Sequence, residues 1–310
     1  MLISTAVLPA AALLVLLAQE TPAADPPAEA PAEQTSEQPA KQPAEQTTEQ
    51  TTEQTTEQIS EDAASLFPDE PLRRAISELM AKKNRTPFTR DDLQTIYFLR
   101  APDAGIASLA GLEHCPNLSL VDLSGNAIES TDPLANHRRL QSLDLHGNRI
   151  ASTDPLGTLL KLQYLNLGGN RLTALDGLAP LEQLRSLDVS GNQVVSLDPL
   201  ASCTRLQSLW ASGNQIASLD PLGKLKVDTL DLSGNAITSL DPLSGQSQLR
   251  LLMLAGNPIG SLAPILQTGA EQPLFLRLTL DATQAESLAG QVEELRAIRV
   301  KVDVRESRAD

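Results

Sequence analysis

Leu184-Arg-Ser-Leu-Asp-Val-Ser-Gly-Asn192, continued by Gln193-Val-Val-Ser-Leu-Asp-Pro-Leu200, recurs along the chain with little change. Its asparagine returns at Asn126, Asn148, Asn170, Asn192, Asn214, Asn235 and Asn257, always 22 residues apart except for one step of 21 between Asn214 and Asn235. Self-similarity at a fixed period of this size marks a solenoid. One such unit cannot bury its apolar side alone, so stacked neighbours must supply a continuous core. Length therefore does not count domains here, although 310 residues exceed one ordinary globular domain.

In Leu206-Gln-Ser-Leu-Trp-Ala-Ser-Gly-Asn214 the apolar Leu206, Leu209 and Ala211 point inward, with the last two spaced as in a short strand. The asparagine carries both a donor and an acceptor, which suits it to satisfy backbone groups left unpaired where the strand ends and the chain turns. The glycine before it, as in Gly125, Gly147 and Gly169, fits a tight bend. In most repeats Asp-Pro then opens the return segment, read as an Asp N-cap with Pro at the first turn position. A unit of 22 residues leaves room for a 3₁₀ or irregular return and not for a full helix. The 21-residue step keeps its Asn-to-Pro part, so its missing residue lies on that return, where it does not flip a strand register.

The pattern L-x-x-L-x-L-x-x-N-x-I/L/V is a leucine-rich repeat. The downstream Ser196-Leu-Asp-Pro-Leu200 resembles the short repeats of bacterial internalin-like proteins and of leucine-rich phosphatase regulators. The resemblance covers roughly residues 64–310. The fold expected is an α/β solenoid: a leucine-rich repeat horseshoe with a parallel concave β-sheet, a 3₁₀ or irregular convex side, and a cap at each end. The resemblance implies protein recognition through the concave sheet and does not identify the partner.

Residues 1–18 read as a signal peptide, with an uncleaved anchor as the alternative, because the apolar run Ile3–Ala18 is shorter than a membrane-spanning helix of about 20 residues. No Lys or Arg precedes that run, a departure from the signal pattern. Residues 19–63 form a disordered tether rich in Pro, Glu, Gln and Thr, with almost no large apolar side chain to offset the cost of ordering. The tether holds eleven carboxylates and one lysine, a net −10 of the whole chain's −15, so the folded part carries only −5. Residues 64–95 form a helical N-terminal cap, with Asp69 as N-cap, an apolar face of Leu72, Ile76, Leu79 and Met80, and a capping-box-like Thr89-Arg-Asp-Asp92. The repeats run over 96–265, the first of them decayed, with Ala104 in place of the asparagine. Residues 266–310 form a strand–helix–strand C-terminal cap: a strand over 274–280, a helix started by Asp281 and Gln284, and an edge strand with Val300, Val302 and Val304 alternating.

Catalytic chemistry finds no foothold in the residues. Cys115 and Cys203 hold the same repeat position four repeats apart, so about 19 Å separates them, against the roughly 7 Å limit for bridged Cα atoms. Leu159 and Leu181 fill that position elsewhere, and the cysteines read as small buried hydrophobes. Asp144 and His146, near Asp122 and Ser124, lack a third oriented ligand for a metal. The recurring Ser-Gly-Asn is repeat punctuation and not a phosphate loop. No basic face is concentrated enough to point to nucleic acid. No cofactor and no enzymatic activity are expected.

The third and fifth residues of L-x-x-L-x-L face outward on the sheet. The fifth-position column runs Asp122, Asp144, Asn166, Asp188, Trp210, Asp231 and Met253. Asp is common there in the family, so solubility accounts for most of it. Trp210 is the chain's one tryptophan and stands where most repeats place Asp or Asn. With Asp188 and Asp231 beside it, and Tyr164, Leu251 and Met253 two strands away on either side, it is the expected partner-binding site. The reading is an exported, monomeric, non-enzymatic protein-binding module, with membrane contact only if the N-terminal segment stays uncleaved. The alternatives are a cytoplasmic regulatory subunit of a phosphatase-like enzyme and an envelope structural spacer.

Overall fold

The stacking follows the repeat. In the computed structural model, strands β1 (Phe98–Arg100), β2 (Leu120–Asp122), β3 (Ser142–Asp144), β4 (Tyr164–Asn166), β5 (Ser186–Asp188), β6 (Ser208–Trp210), β7 (Thr229–Asp231), β8 (Leu251–Met253), β9 (Arg277–Asp281) and β10 (Lys301–Arg305) pair in chain order in one parallel sheet. The structure describes residues 65–83, 88–271 and 275–305, within the unit Ala63–Asp310. The expected signal peptide and tether lie outside the described residues.

Strands β1 to β8 are three residues long because only the middle residue must point inward, and it is the buried one, from Leu99 through Leu209 to Leu252. The step of 21 residues keeps the register, Ser208 opposite Thr229 and Trp210 opposite Asp231. The residue is lost between the 3₁₀ turn Asp220–Leu222 and β7, as the intact Asn-to-Pro segment requires.

Every asparagine of the ladder is buried and fully engaged. Asn170 Nδ2 donates to the carbonyls of Leu167 (2.9 Å) and Leu145 (3.0 Å), and its Oδ1 accepts the N–H of Ile150 at 3.0 Å. Each asparagine thus ties its turn to the one before. The glycine preceding it takes the left-handed conformation at every repeat, φ +64° at Gly169, a geometry that a side chain would strain.

The return segments are short 3₁₀ turns, as expected, but Asp is not their N-cap. At Asp132–Leu134 the cap position belongs to Thr131, and no side chain caps the turn. The reason is the tighter bond: Leu134 N–H reaches the Thr131 carbonyl at 2.9 Å, which closes the turn one residue early. The Asp132 carboxylate instead accepts the Ser130 hydroxyl at 2.7 Å, and Asp220 and Asp241 do the same with Ser218 and Ser239.

At the N-terminal end, helix α1 (Glu70–Lys82) is capped by Asp69, whose Oδ1 accepts from Leu72 N–H and whose Oδ2 accepts from Ala107 and Ser108 N–H, all at 2.9 Å. One carboxylate both starts the helix and pins it to the first turn. The Thr89–Asp92 capping box opens α2 (Arg90–Leu93). Leu72, Ile76 and Met80 are buried, and Leu79 is partly buried against the core.

The C-terminal end departs from expectation in one way. The last repeat returns through an α-helix, α3 (Ala263–Glu271), where an irregular segment was expected. Leu251 pairs with Arg277, a step of 26 residues, and the four extra residues supply one helical turn. The expected strand–helix–strand cap is present, and its strands β9 and β10 continue the sheet in parallel. Between them lie α4 (Ala282–Ser287), started by an Asp281–Gln284 capping box, and α5 (Ala289–Ala297).

Candidate partner-binding face

The outer sheet face is a grid fixed by strand register. Asp188 on β5 sits opposite Trp210 on β6, and Trp210 opposite Asp231 on β7. All three side chains are partly exposed. Among the described residues neither aspartate joins a salt bridge, whereas Asp122 at the other end of the column meets Arg100 at 3.2 Å. The two carboxylates beside the tryptophan are therefore without a cationic partner among the described residues.

The aspartate column has a structural role that solubility alone does not express. Asp188 Oδ1 accepts the N–H of Ser190 at 2.8 Å, Asp144 Oδ1 that of His146 at 3.0 Å, and Asp231 Oδ1 that of Ser233 at 3.1 Å. Asp122 does the same for Ser124 at 3.2 Å, and Asn166 for Gly168 at 3.0 Å. In each case a side-chain oxygen caps the turn that follows the strand. An indole has no acceptor, so Trp210 gives up this bond in its own turn. Nothing in the packing calls for it, since the core side of β6 is already filled by Leu209 and Ala211.

The wider stripe is thinner than the sequence suggests. Tyr164 and Leu251 are partly exposed on the outer face, two strands from Trp210 on either side. Met253 is a correction: it is buried, 9% exposed, and Arg305 from β10 reaches its sulfur at 3.4 Å. The cap's last strand, β10, carries the Arg305 that reaches it.

Asp144 is a carboxylate of this face whose acidity is displaced. Burial raises its pKa above the ordinary carboxylate value, the His146 N–H bond opposes this, and the neighbouring Asp122 charge adds to the rise. Asn166 Nδ2 donates to it at 3.2 Å. Among the described residues no group of three or more His, Cys, Asp or Glu is placed to hold a metal ion.

The remaining candidates resolve into packing. Cys115 and Cys203 are free and buried, and burial, with Glu113 and Glu182 nearby, pushes their thiols up to about 12 and about 11. His137 occupies the same repeat position as the cysteines and is also buried, its ring nitrogens 3.1 Å from the Leu134 carbonyl and 3.0 Å from that of Leu112. It joins two turns in the manner of an extra ladder rung. The spacing of 22 from Cys115 was the signal that placed it there.

Residues 138–194 match the leucine rich repeat family, and residues 182–224 match leucine rich repeats in two copies. Among solved structures the chain is similar to internalin C2 from Listeria monocytogenes, at 29% identity over 70% of this chain and 96% of that one, with a TM-score of 0.64. It is similar in fold to a leucine-rich repeat protein of Leptospira interrogans, at 22% identity over 64% of this chain and 57% of that one, with a TM-score of 0.50. No curated protein matches it in sequence.

Proposed function

We propose that this chain, an internalin-like leucine-rich repeat protein, is an exported, non-enzymatic binding module whose outer sheet face takes a protein partner around Trp210. The observation that carries the reading is the exchange at Trp210 itself. A turn-capping acceptor is replaced by the residue type most enriched among interface hot spots, at a position where the core gains nothing. Asp188 and Asp231 on either side favour a partner surface bearing Lys or Arg, with the cation over the indole and between the two carboxylates. Tyr164 and Leu251 extend the contact across the sheet. The apolar segment at residues 3–18 supports export.

The test is capture of partners by the full chain from native extracts, with mass-spectrometric identification, followed by titration of the captured protein. Trp210→Ala should weaken binding about 30-fold or more, and Asp188→Ala with Asp231→Ala should weaken it in a salt-dependent way. If both variants, folded by circular dichroism, bind within about twofold of the parent, less than ~0.5 kcal/mol, this face is not the site. N-terminal sequencing of the chain recovered from envelope and medium fractions tests export; an intact Met1 peptide confined to cytosol would refute it.

A further inference from the structure

The flank along which each turn feeds its strand carries a charge pattern opposite to that of the outer sheet face. Arg139, Lys161, Arg205 and Lys226 share one repeat position, immediately before the first inward residue of their turns. Where Gln183 and Gln248 hold that position, Arg185 and Arg250 follow two residues later. The flank thus offers one cation per turn over six successive turns, a stripe about 24 Å long at ~4.8 Å per strand. The alignment is visible in the bonding: Arg205 donates to Gln183 Oε1 of the previous turn at 2.5 Å, and Gln207 N–H reaches the Arg185 carbonyl at 2.9 Å. All six cations are exposed, and none forms a salt bridge among the described residues.

Arg138 and Lys224 add two more cations on the same flank. Between the 3₁₀ turns and strands β3 to β8 the carboxylates are Glu182 and Asp228, and Asp228 accepts the Ser208 hydroxyl at 3.3 Å. Local charge is therefore strongly positive in a folded part that is acidic as a whole. At physiological salt, charges beyond about 8 Å are largely screened, so the local pattern decides what approaches.

Three of the large apolar side chains exposed among the described residues lie on this flank: Tyr97 at 47%, Leu160 at 56% and Phe275 at 88%. Tyr97 opens the flank, its carbonyl accepting Ser119 N–H at 2.8 Å. Leu160 stands beside Lys161. Phe275 closes the flank two residues before Arg277, whose N–H reaches the Arg250 carbonyl at 2.8 Å. The aromatics sit at the two ends, about 38 Å apart across eight strand intervals, and are not interleaved with the cations as a base-stacking platform requires.

A row of cations with apolar side chains at its ends and middle is the arrangement that lies against an anionic bilayer, where basic groups meet headgroup phosphates and apolar ones reach the acyl boundary. We propose that this flank docks on an anionic phospholipid surface, with Arg139, Lys161, Arg185, Arg205, Lys226 and Arg250 on the phosphates and Phe275 at the hydrocarbon boundary. The outer sheet face is then left free for its partner.

The experiment is sedimentation of the full chain with vesicles of phosphatidylcholine alone and of phosphatidylcholine with about a third phosphatidylglycerol. The parent should bind the anionic vesicles and release them as salt rises. Each cation removed should cost roughly fivefold in partitioning. Lys161→Gln with Arg205→Gln and Lys226→Gln should therefore lose roughly 100-fold, and Phe275→Ala should weaken binding without changing its salt dependence. These comparisons hold the apolar N-terminal segment constant, and its insertion would not depend on those charges. Equal binding to both vesicle types, or a folded triple variant that binds like the parent, would overturn the proposal. So would retention on a sulfated polysaccharide column without vesicle binding.

Discussion

Asn170 is bonded into the turn before its own: its side-chain oxygen takes the backbone N–H of Ile150 at 3.0 Å, twenty residues earlier in the chain. Its amide nitrogen donates at the same time to Leu145 in that earlier turn and to Leu167 in its own. Asn170→Ala removes these bonds, and a weaker one to the Gly168 carbonyl at 3.3 Å, in a buried place, and stability should fall by about 1–3 kcal/mol in a denaturant titration. Asn170→Asp keeps the acceptor and loses the donations, so it should be destabilising as well. A titration of the alanine variant that overlays the parent would show that the ladder is not a source of stability.

Trp210→Asn should separate folding from binding. Asn166, in the same column, both caps its turn and donates to Asp144, and an asparagine at 210 can do the same for Ser212 N–H and Asp188. The variant should be at least as stable as the parent, with a gain of up to about 1 kcal/mol, while losing the partner. A clear drop in melting temperature would mean that the indole is needed for packing and would remove the argument for its functional placement.

Asp144→Asn should stabilise the protein at neutral pH. The folded pKa of Asp144 lies above its ordinary value, chiefly through burial, so the native state holds the proton more tightly than the unfolded chain. Stability from this group is therefore present at low pH and is lost as pH rises from the unfolded value of about 3.8 through the folded one. The stability difference between variant and parent should be largest near pH 7 and shrink on acidification through that window. A difference that does not change with pH would refute the assignment.

Two departures from the repeat consensus should respond in opposite directions. Gly177 stands where most turns have Pro, and its N–H donates to Thr153 Oγ1 at 3.1 Å. A Cβ there would meet the Thr153 carbonyl oxygen at 2.1 Å. Gly177→Pro, though it restores the consensus, should destabilise by about 1–3 kcal/mol. Thr131 faces the equivalent position of the next turn, where Pro155 has no N–H, and its hydroxyl is buried without a partner. Thr131→Val should therefore stabilise, by about 1 kcal/mol. Thermal melts of the two variants check both signs.

Much of the candidate face was legible before any coordinates. The period of 22 fixed which residues share a column, and the column alone singled out Trp210 between Asp188 and Asp231. Met253 was misplaced because column membership says which side of the sheet a residue faces and not what lies over it, and Arg305 is 52 residues away in sequence. The Asp-Pro turns were misread by one residue because an N-cap argument built for α-helices was applied to a 3₁₀ turn. His137 shares the cysteines' repeat position in the sequence, and only its two carbonyl contacts show it as a strut between turns.

The sequence by itself determined the stack: repeats of this length, each with an apolar side it cannot bury alone, have one economical solution, and near-identical spacing forces the strands into register. It also determined that the two cysteines stay apart, since four turns separate them. Tertiary structure alone decided what the polar residues do. The aspartates cap turns, Arg305 of β10 reaches the sulfur of Met253, and cations from two different repeat positions merge into one flank. Those outcomes depend on backbone N–H directions and on groups brought together from different turns, and neither is written in the periodicity of any single repeat.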